Sequence, residues 1–389
     1  MGREVDVIVL GLGAMGSAAA HALQTRGFRV IGLDRFAPPH PYGSSHGDAR
    51  IIRQAYFEGA SYLPLLRRAY ASWRRLEEES GRELLRVTGG LTVGSEDGSL
   101  VQRTMASARE GEIPHEILAP AEAARRHPRI RIGRDQVAIY EPGAGLLFPE
   151  LCIEVLLEAA RRAGAELRFD EPVREWEADS TGVRVRTGQG TYHAARAVLA
   201  AGPWIDRLTG PDLQLPLTVE RQVACWFDPT RDPDAFGSER MPLALWEHEP
   251  DQMAYIVPDL GNGIRIGLHQ GGESTDPDQV DRTVRPREIE RLMELLSMLI
   301  PDAGVRPAAT AVCLYTNTPD RHFVLDEHPD TPHVLVVSAC SGHGFKLSVT
   351  VGELVAEWAA GAESTEDLSP FMIERFGDGT RGRAINPQA

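Results

Sequence analysis

Four groups of residues in this chain have types and spacings that could do chemistry. Gly11, Gly13 and Gly16 form a Gly-x-Gly-x-x-Gly run with Ala14 and Met15, and an acidic residue, Asp34, stands downstream. Such a run lets a backbone turn tightly and approach a pyrophosphate, while the acid accepts hydrogen bonds from ribose hydroxyls. Arg50 and Arg53 lie three positions apart around apolar Ile51 and Ile52, after the loop that contains Ser45 and His46. On a helix they would share a face. Forty-one residues are lysine or arginine, and Lys346 is the one lysine among them. A lysine kept where arginine has otherwise replaced it points to a role that arginine cannot fill. The fourth feature is Cys313, one of four cysteines, none with metal-binding spacing. The plain reading of all four, from sequence alone, is free thiols in a reducing cytoplasm.

These groups need elements to hold them. Residues 5–10 are a short, largely β-branched run of the kind buried in a parallel sheet. The glycine loop follows, then an alanine-rich helix over 17–25, then a second strand over 29–34. Together they make a βαβ unit whose helix N-terminus offers amide donors to phosphates. That unit serves FAD and NAD alike. Helical periodicity recurs at 60–80, 151–163 and 349–360, and strands are predicted at 90–94, 165–169, 183–187, 197–201, 253–257, 307–315 and 334–338. The mixture predicts an α/β protein: a Rossmann-type dinucleotide domain with a second α+β domain built on a mostly antiparallel sheet.

At 389 residues, two domains are the natural expectation. A net charge of −15 argues against a general nucleic-acid or membrane-surface binder, although a few local arginines could still hold an anionic ligand. Arg3, Glu4 and Asp6 interrupt any secretory signal, and no apolar run reaches the length of a membrane span. A cytoplasmic location is expected.

Several short islands in order along the chain give it a family resemblance. They are the Gly11–Gly16 loop with Asp34, residues 45–53 (SHGDARIIR), 141–148 (EPGAGLLF), 201–204 (AGPW), 267–269 (GLH), 312–316 (VCLYT) and 341–348 (SGHGFKLS). The chain resembles the monomeric sarcosine oxidase and N-methyltryptophan oxidase group of D-amino-acid-oxidase-like flavoenzymes. The resemblance implies FAD, joined covalently by a thioether from Cys313. It implies that Arg53 and Lys346 clamp the carboxylate of a small amino-acid substrate, and that His46 and Arg50 lie against the flavin ring as positive charge. Tyr255, His269 and Tyr315 would line the substrate cavity. Ser45, Ala201, Gly202, Trp204, Gly342 and Gly344 would border the cofactor. The implied reaction oxidises a secondary amino acid and reduces oxygen to hydrogen peroxide, in a monomer that needs no metal. The FAD-binding domain is expected over 1–83, 150–218 and 319–389, and the substrate domain over 84–149 and 219–318.

One position departs from the family. Where its members usually carry a lysine held to promote the reaction with oxygen, this chain has Arg265. The departure bears on whether oxygen or another acceptor takes the electrons.

Overall fold

The apolar run at the N-terminus becomes the strand Arg3–Leu10 in the computed structural model, which describes residues 3–210, 213–338 and 340–377. Its Val7, Ile8 and Val9 are fully buried, as expected for a strand covered on both faces. It pairs in parallel with Val30–Leu33 on one side and Thr191–Leu199 on the other. Glu166–Arg168 and Thr331–Ser338 extend this parallel core outward. Antiparallel strands Val173–Asp179, Gly182–Thr187 and Val324–His328 complete an eight-stranded sheet.

Helix Ala14–Thr25 packs on this sheet against Pro149–Arg162 and Ser348–Ala359. Its small residues allow close approach: a Cβ at Gly352 would meet the Ala18 backbone at 2.5 Å. Helices Ala14–Thr25 and Ser348–Ala359 thus pack closely on each other, and the first of them begins directly after the glycine loop.

A nine-stranded sheet forms the second layer. Its strands are antiparallel except where Leu243–Glu249 runs parallel to Gly90–Ser95. The long pair Thr218–Phe227 and Pro307–Asn317 dominates it, with Ile264–His269 and Gln252–Val257 alongside. Helix Pro286–Leu299 covers the outer face and buries Leu292, Leu296 and Leu299 against Phe227, Ile256 and Ile266. Each leucine buried there contributes about 1.5–3 kcal/mol relative to exposure. A three-stranded sheet of Arg50–Ile52, Leu85–Val87 and Gly145–Leu147 lies between the two layers. The expected α/β fold with a mostly antiparallel second sheet is the one observed. Residues 1–2, 211–212, 339 and 378–389 of the expected FAD-binding domain lie outside the described residues.

One local expectation is corrected. Residues 50–53 are not helical: Arg50–Ile52 is a strand, with Ile51 opposite Leu146 and Ile52 opposite Gly145. Two adjacent β-branched isoleucines suit a pleated edge better than a helix. Arg50 and Arg53 are therefore set apart by alternation along the chain and work at different places.

Candidate active site

One cavity runs between the two large sheets, and every predicted site residue except Gly16 lines it. Gly16 sits behind the wall, where a Cβ would meet the Gly11 carbonyl oxygen at 1.7 Å. Gly11 itself has φ +93°, and a Cβ there would strike the Ala200 carbonyl oxygen at 2.5 Å. Gly13 differs: the nearest atom to a Cβ would be Ser45 Oγ at 3.9 Å. Its bare backbone faces the cavity, which Ala14 and Met15 also line. Asp34 accepts the Leu12 N–H through Oδ2 at 2.7 Å and the Phe36 N–H through Oδ1 at 2.8 Å. Burial pushes its carboxyl up, and these two amides oppose the rise. Trp204, on the turn that Ala201 and Gly202 begin, packs near Phe36 and anchors its indole N–H on Asp278 at 2.8 Å.

The middle of the cavity is bounded by residues 43–50, whose carbonyls are satisfied mainly by guanidinium groups. Arg50 donates to the Ala49 carbonyl at 2.8 Å and the Ser44 carbonyl at 2.7 Å, and also to the His46 carbonyl. Arg265 reaches across from strand Ile264–His269 to the Gly47 and Ala49 carbonyls and to Asp48 Oδ1, the last at 2.9 Å. Asp48, at φ 52°, also accepts the Trp226 indole N–H at 2.6 Å. Cys313 comes from strand Pro307–Asn317, with Sγ 3.5 Å from Arg50 Nη2 and 3.4 Å from the Ser44 carbonyl oxygen. Cys152, by contrast, is fully buried on the inward face of helix Pro149–Arg162, and burial pushes its thiol up. His46 departs from expectation. Burial and then Arg50 pull its imidazole down to about 4, so it is neutral near pH 7. The positive charge expected of the pair rests on Arg50.

Beyond that loop the cavity gathers charged groups in apolar surroundings. Arg53 is buried, lies over the rings of Tyr56 and Phe57, and donates to Ala55 O and Glu58 Oε2, each at 2.6 Å. Burial is the largest single influence on Glu58 and works to raise it, but Arg53 together with His343, Lys346 and His269 outweighs it, holding the carboxyl at about 2. Lys346 follows Gly344 at the start of the short helix Phe345–Leu347 and donates to His343 O at 2.8 Å and Tyr56 Oη at 3.2 Å. Burial pulls its amine down to about 7, against the pull of Glu58. His269 stands edge-on to Tyr315 and Phe57, and burial lowers it to about 4. Gly342, at φ +78°, leaves room for the Tyr315 ring, which a Cβ would meet at 2.5 Å. Tyr255 fits over Gly267 for the same reason and accepts an N–H of Arg265 at 3.4 Å. An anion entering here would find two cations, an ionised acid already seated on one of them, and neutral aromatic walls.

The family model described as FAD dependent oxidoreductase matches residues 6–358. The chain belongs to this FAD-dependent oxidoreductase family. A monomeric sarcosine oxidase of Streptomyces avermitilis is 41% identical over 97% of this chain and 99% of its own length. An N-methyl-L-tryptophan oxidase of Yersinia pestis is 33% identical over 96% of this chain and 100% of its own. Among solved structures, NikD, an amino acid oxidase essential for nikkomycin biosynthesis, superposes with a TM-score of 0.83 at 26% identity. That match covers 95% of this chain and 98% of NikD.

The residues present fit FAD. Ser44 Oγ, His46 Nε2 and Arg265 Nε are buried polar atoms without a protein partner, and all three residues line the cavity. Buried polar groups rarely stay unpaired, so these atoms suit a polar ring system laid along the loop. The bare backbone at Gly13 and the helix N-terminus suit its pyrophosphate.

Sequence reasoning missed Asp48, Tyr56, Glu58 and His343. Asp48 and His343 stand inside quoted motifs, where their types could have flagged them. Tyr56 and Glu58 follow Arg53 closely but in no recognisable spacing, and only the chain's turn after the Arg50–Ile52 strand brings them inward. Among the described residues there is no cluster able to hold a metal ion, and no helix is long and apolar enough to cross a membrane.

Proposed function

We propose that this FAD-dependent enzyme oxidises a secondary amino acid, such as sarcosine, another N-methyl amino acid or a cyclic imino acid. The observation that carries the reading is the convergence of Arg53 and the lone lysine, Lys346, in one buried pocket with His269 and Tyr315. The substrate carboxylate would lie on these two cations, taking from Arg53 the place that Glu58 now holds. Charge-assisted bonds of this kind contribute about 1.5–3 kcal/mol each.

His269 is neutral near pH 7, so it lines the site without adding charge against the amine. Tyr255 and Tyr315 wall the cavity beside it and keep water from the reacting carbon–nitrogen bond. When bound, FAD would supply the two-electron oxidation: the amine would lose two electrons and two protons to become an imine that water hydrolyses, and with oxygen as acceptor the same two electrons and two protons would appear as hydrogen peroxide. For sarcosine the products are glycine and formaldehyde.

Cys313 is the residue we assign to covalent attachment of FAD. Its sulfur faces the cavity within hydrogen-bond reach of Arg50, beside the loop that carries Ser44 and His46. The protein would work as a cytoplasmic monomer divided, as expected from its sequence, into a FAD-binding and a substrate domain.

One observation favours a second acceptor. Arg265 is committed to Asp48, two carbonyls and Tyr255, a setting unlike that of a free ammonium. An otherwise similar enzyme could then pass its electrons to a carrier rather than to oxygen. Incubation of the holoenzyme with sarcosine, N-methyl amino acids and proline, with peroxide and aldehyde measured beside reduction of a dye, tests both readings. Peroxide in step with aldehyde supports the oxidase; dye reduction without peroxide supports the dehydrogenase. Neither product from any of these substrates would refute the assignment.

A further inference from the structure

Lys346 does not stand alone: Tyr56 and His343 decide where its protons point. His343 Nε2 lies 2.9 Å from the Arg321 carbonyl oxygen, and its Nδ1 lies 2.7 Å from Tyr56 Oη. A carbonyl only accepts, so Nε2 must carry the imidazole proton. The ring is neutral, because burial pulls it to about 3, so Nδ1 is an acceptor. Tyr56 must therefore direct its O–H to Nδ1, which leaves a lone pair of Oη facing Lys346 Nζ at 3.2 Å. The Lys346 ammonium has three N–H bonds. One goes to Tyr56 Oη and one to the His343 carbonyl at 2.8 Å.

We infer that Tyr56 and His343 are positioning residues that orient Lys346, leaving it one free N–H aimed at the substrate carboxylate. The inference rests on the carboxylate clamp proposed above. No other residue needs to move for it to hold: Tyr56 is fully buried, its ring packs on Tyr62, and the His343 ring stacks on Phe323.

The other charges that bear on Lys346 come from neighbouring elements. Glu58 favours its ammonium form and Arg53 opposes it. His269, from the antiparallel sheet, also feels the Lys346 charge. Tyr56 supplies an acceptor to the ammonium, so its loss should make Lys346 give up its proton at lower pH.

The test is binding of acetate, a bare carboxylate, to the holoenzyme by calorimetry across pH, with acetamide as the uncharged control. Tyr56→Phe removes one oxygen and keeps the ring. It should weaken acetate about tenfold, shift the high-pH loss of acetate binding downward, and leave acetamide unchanged. If Tyr56→Phe does not fold, a histidine pair serves. His343→Asn keeps an acceptor near the Nδ1 position and should bind acetate better than His343→Gln, which does not. Equal effects on acetate and acetamide, or an acetate affinity and pH profile matching the native enzyme, would overturn the inference. Lys346→Met separates this from the clamp itself. If that variant also binds acetate normally, the clamp fails; if it alone loses acetate, only the role of Tyr56 and His343 fails.

Discussion

Replacing Arg265 with lysine should separate two duties that the structure combines in one side chain. The guanidinium offers five N–H donors from three atoms, and here it meets the Gly47 and Ala49 carbonyls, Asp48 and Tyr255. Lysine offers three donors from a single atom, so it cannot reach all four at once. Losing one or two such contacts, partly replaced by water, should cost about 2 kcal/mol of stability. The same change frees a compact, hydrated ammonium beside the loop that carries His46 and Arg50. If a cation of that kind is what speeds reoxidation by oxygen, Arg265→Lys should raise the oxidative rate about tenfold, equivalent to about 1.4 kcal/mol of barrier. Reduction by substrate should change little, since Arg53 and Lys346 lie farther along the cavity. Stopped-flow measurement of the two half-reactions, with thermal unfolding alongside, provides the assay. A variant that loses stability but reoxidises no faster than the native enzyme would refute the link to oxygen and leave Arg265 as an anchor for the loop.

Other perturbations address the remaining parts of the site. Cys313→Ser should bind FAD without a covalent bond, so acid precipitation yields a colourless pellet, whereas the native pellet stays yellow and the native chain gains the mass of one FAD. Arg53→Met should raise the Michaelis constant for carboxylate substrates roughly ten- to a hundredfold, the loss of about one charge-assisted bond, as steady-state kinetics will show. Burial holds Lys346 near 7, so carboxylate binding should be strong below that pH and weaken as pH rises through it, when the amine loses its charge. Glu58→Gln removes the acid that favours the Lys346 ammonium, so the same fall in inhibitor affinity should move to lower pH.

Much of this arrangement was legible in the residues. The glycine run with Asp34 was readable because backbone turns and close approach impose residue types at fixed spacings. Lys346 stood out because the chain has otherwise replaced lysine with arginine. Alternation did not reveal the strand Arg50–Ile52, since three residues hold too little pattern and its partners Leu85–Val87 and Gly145–Leu147 are distant in sequence. The neutrality of His46 was equally hidden, because it follows from burial beside Arg50, a property of the fold. Glu58 and Tyr56 escaped notice for the same reason: each is ordinary by type and acquires its role from what is packed around it. Arg265 was readable as a departure, while its ties to Asp48 and the loop carbonyls emerged only when two strands and a loop came together.

The central claim is that a secondary amino acid binds through its carboxylate to Arg53 and Lys346 and is oxidised by the bound FAD. Anaerobic titration of the holoenzyme with sarcosine, other N-methyl amino acids and proline, followed by flavin absorbance, tests it most directly. At least one of these acids should bleach the flavin at stoichiometric reduction, while its amide, lacking the negative charge, should do so only at far higher concentration. Flavin that stays oxidised with every acid, or that is reduced equally well by acid and amide, would contradict it.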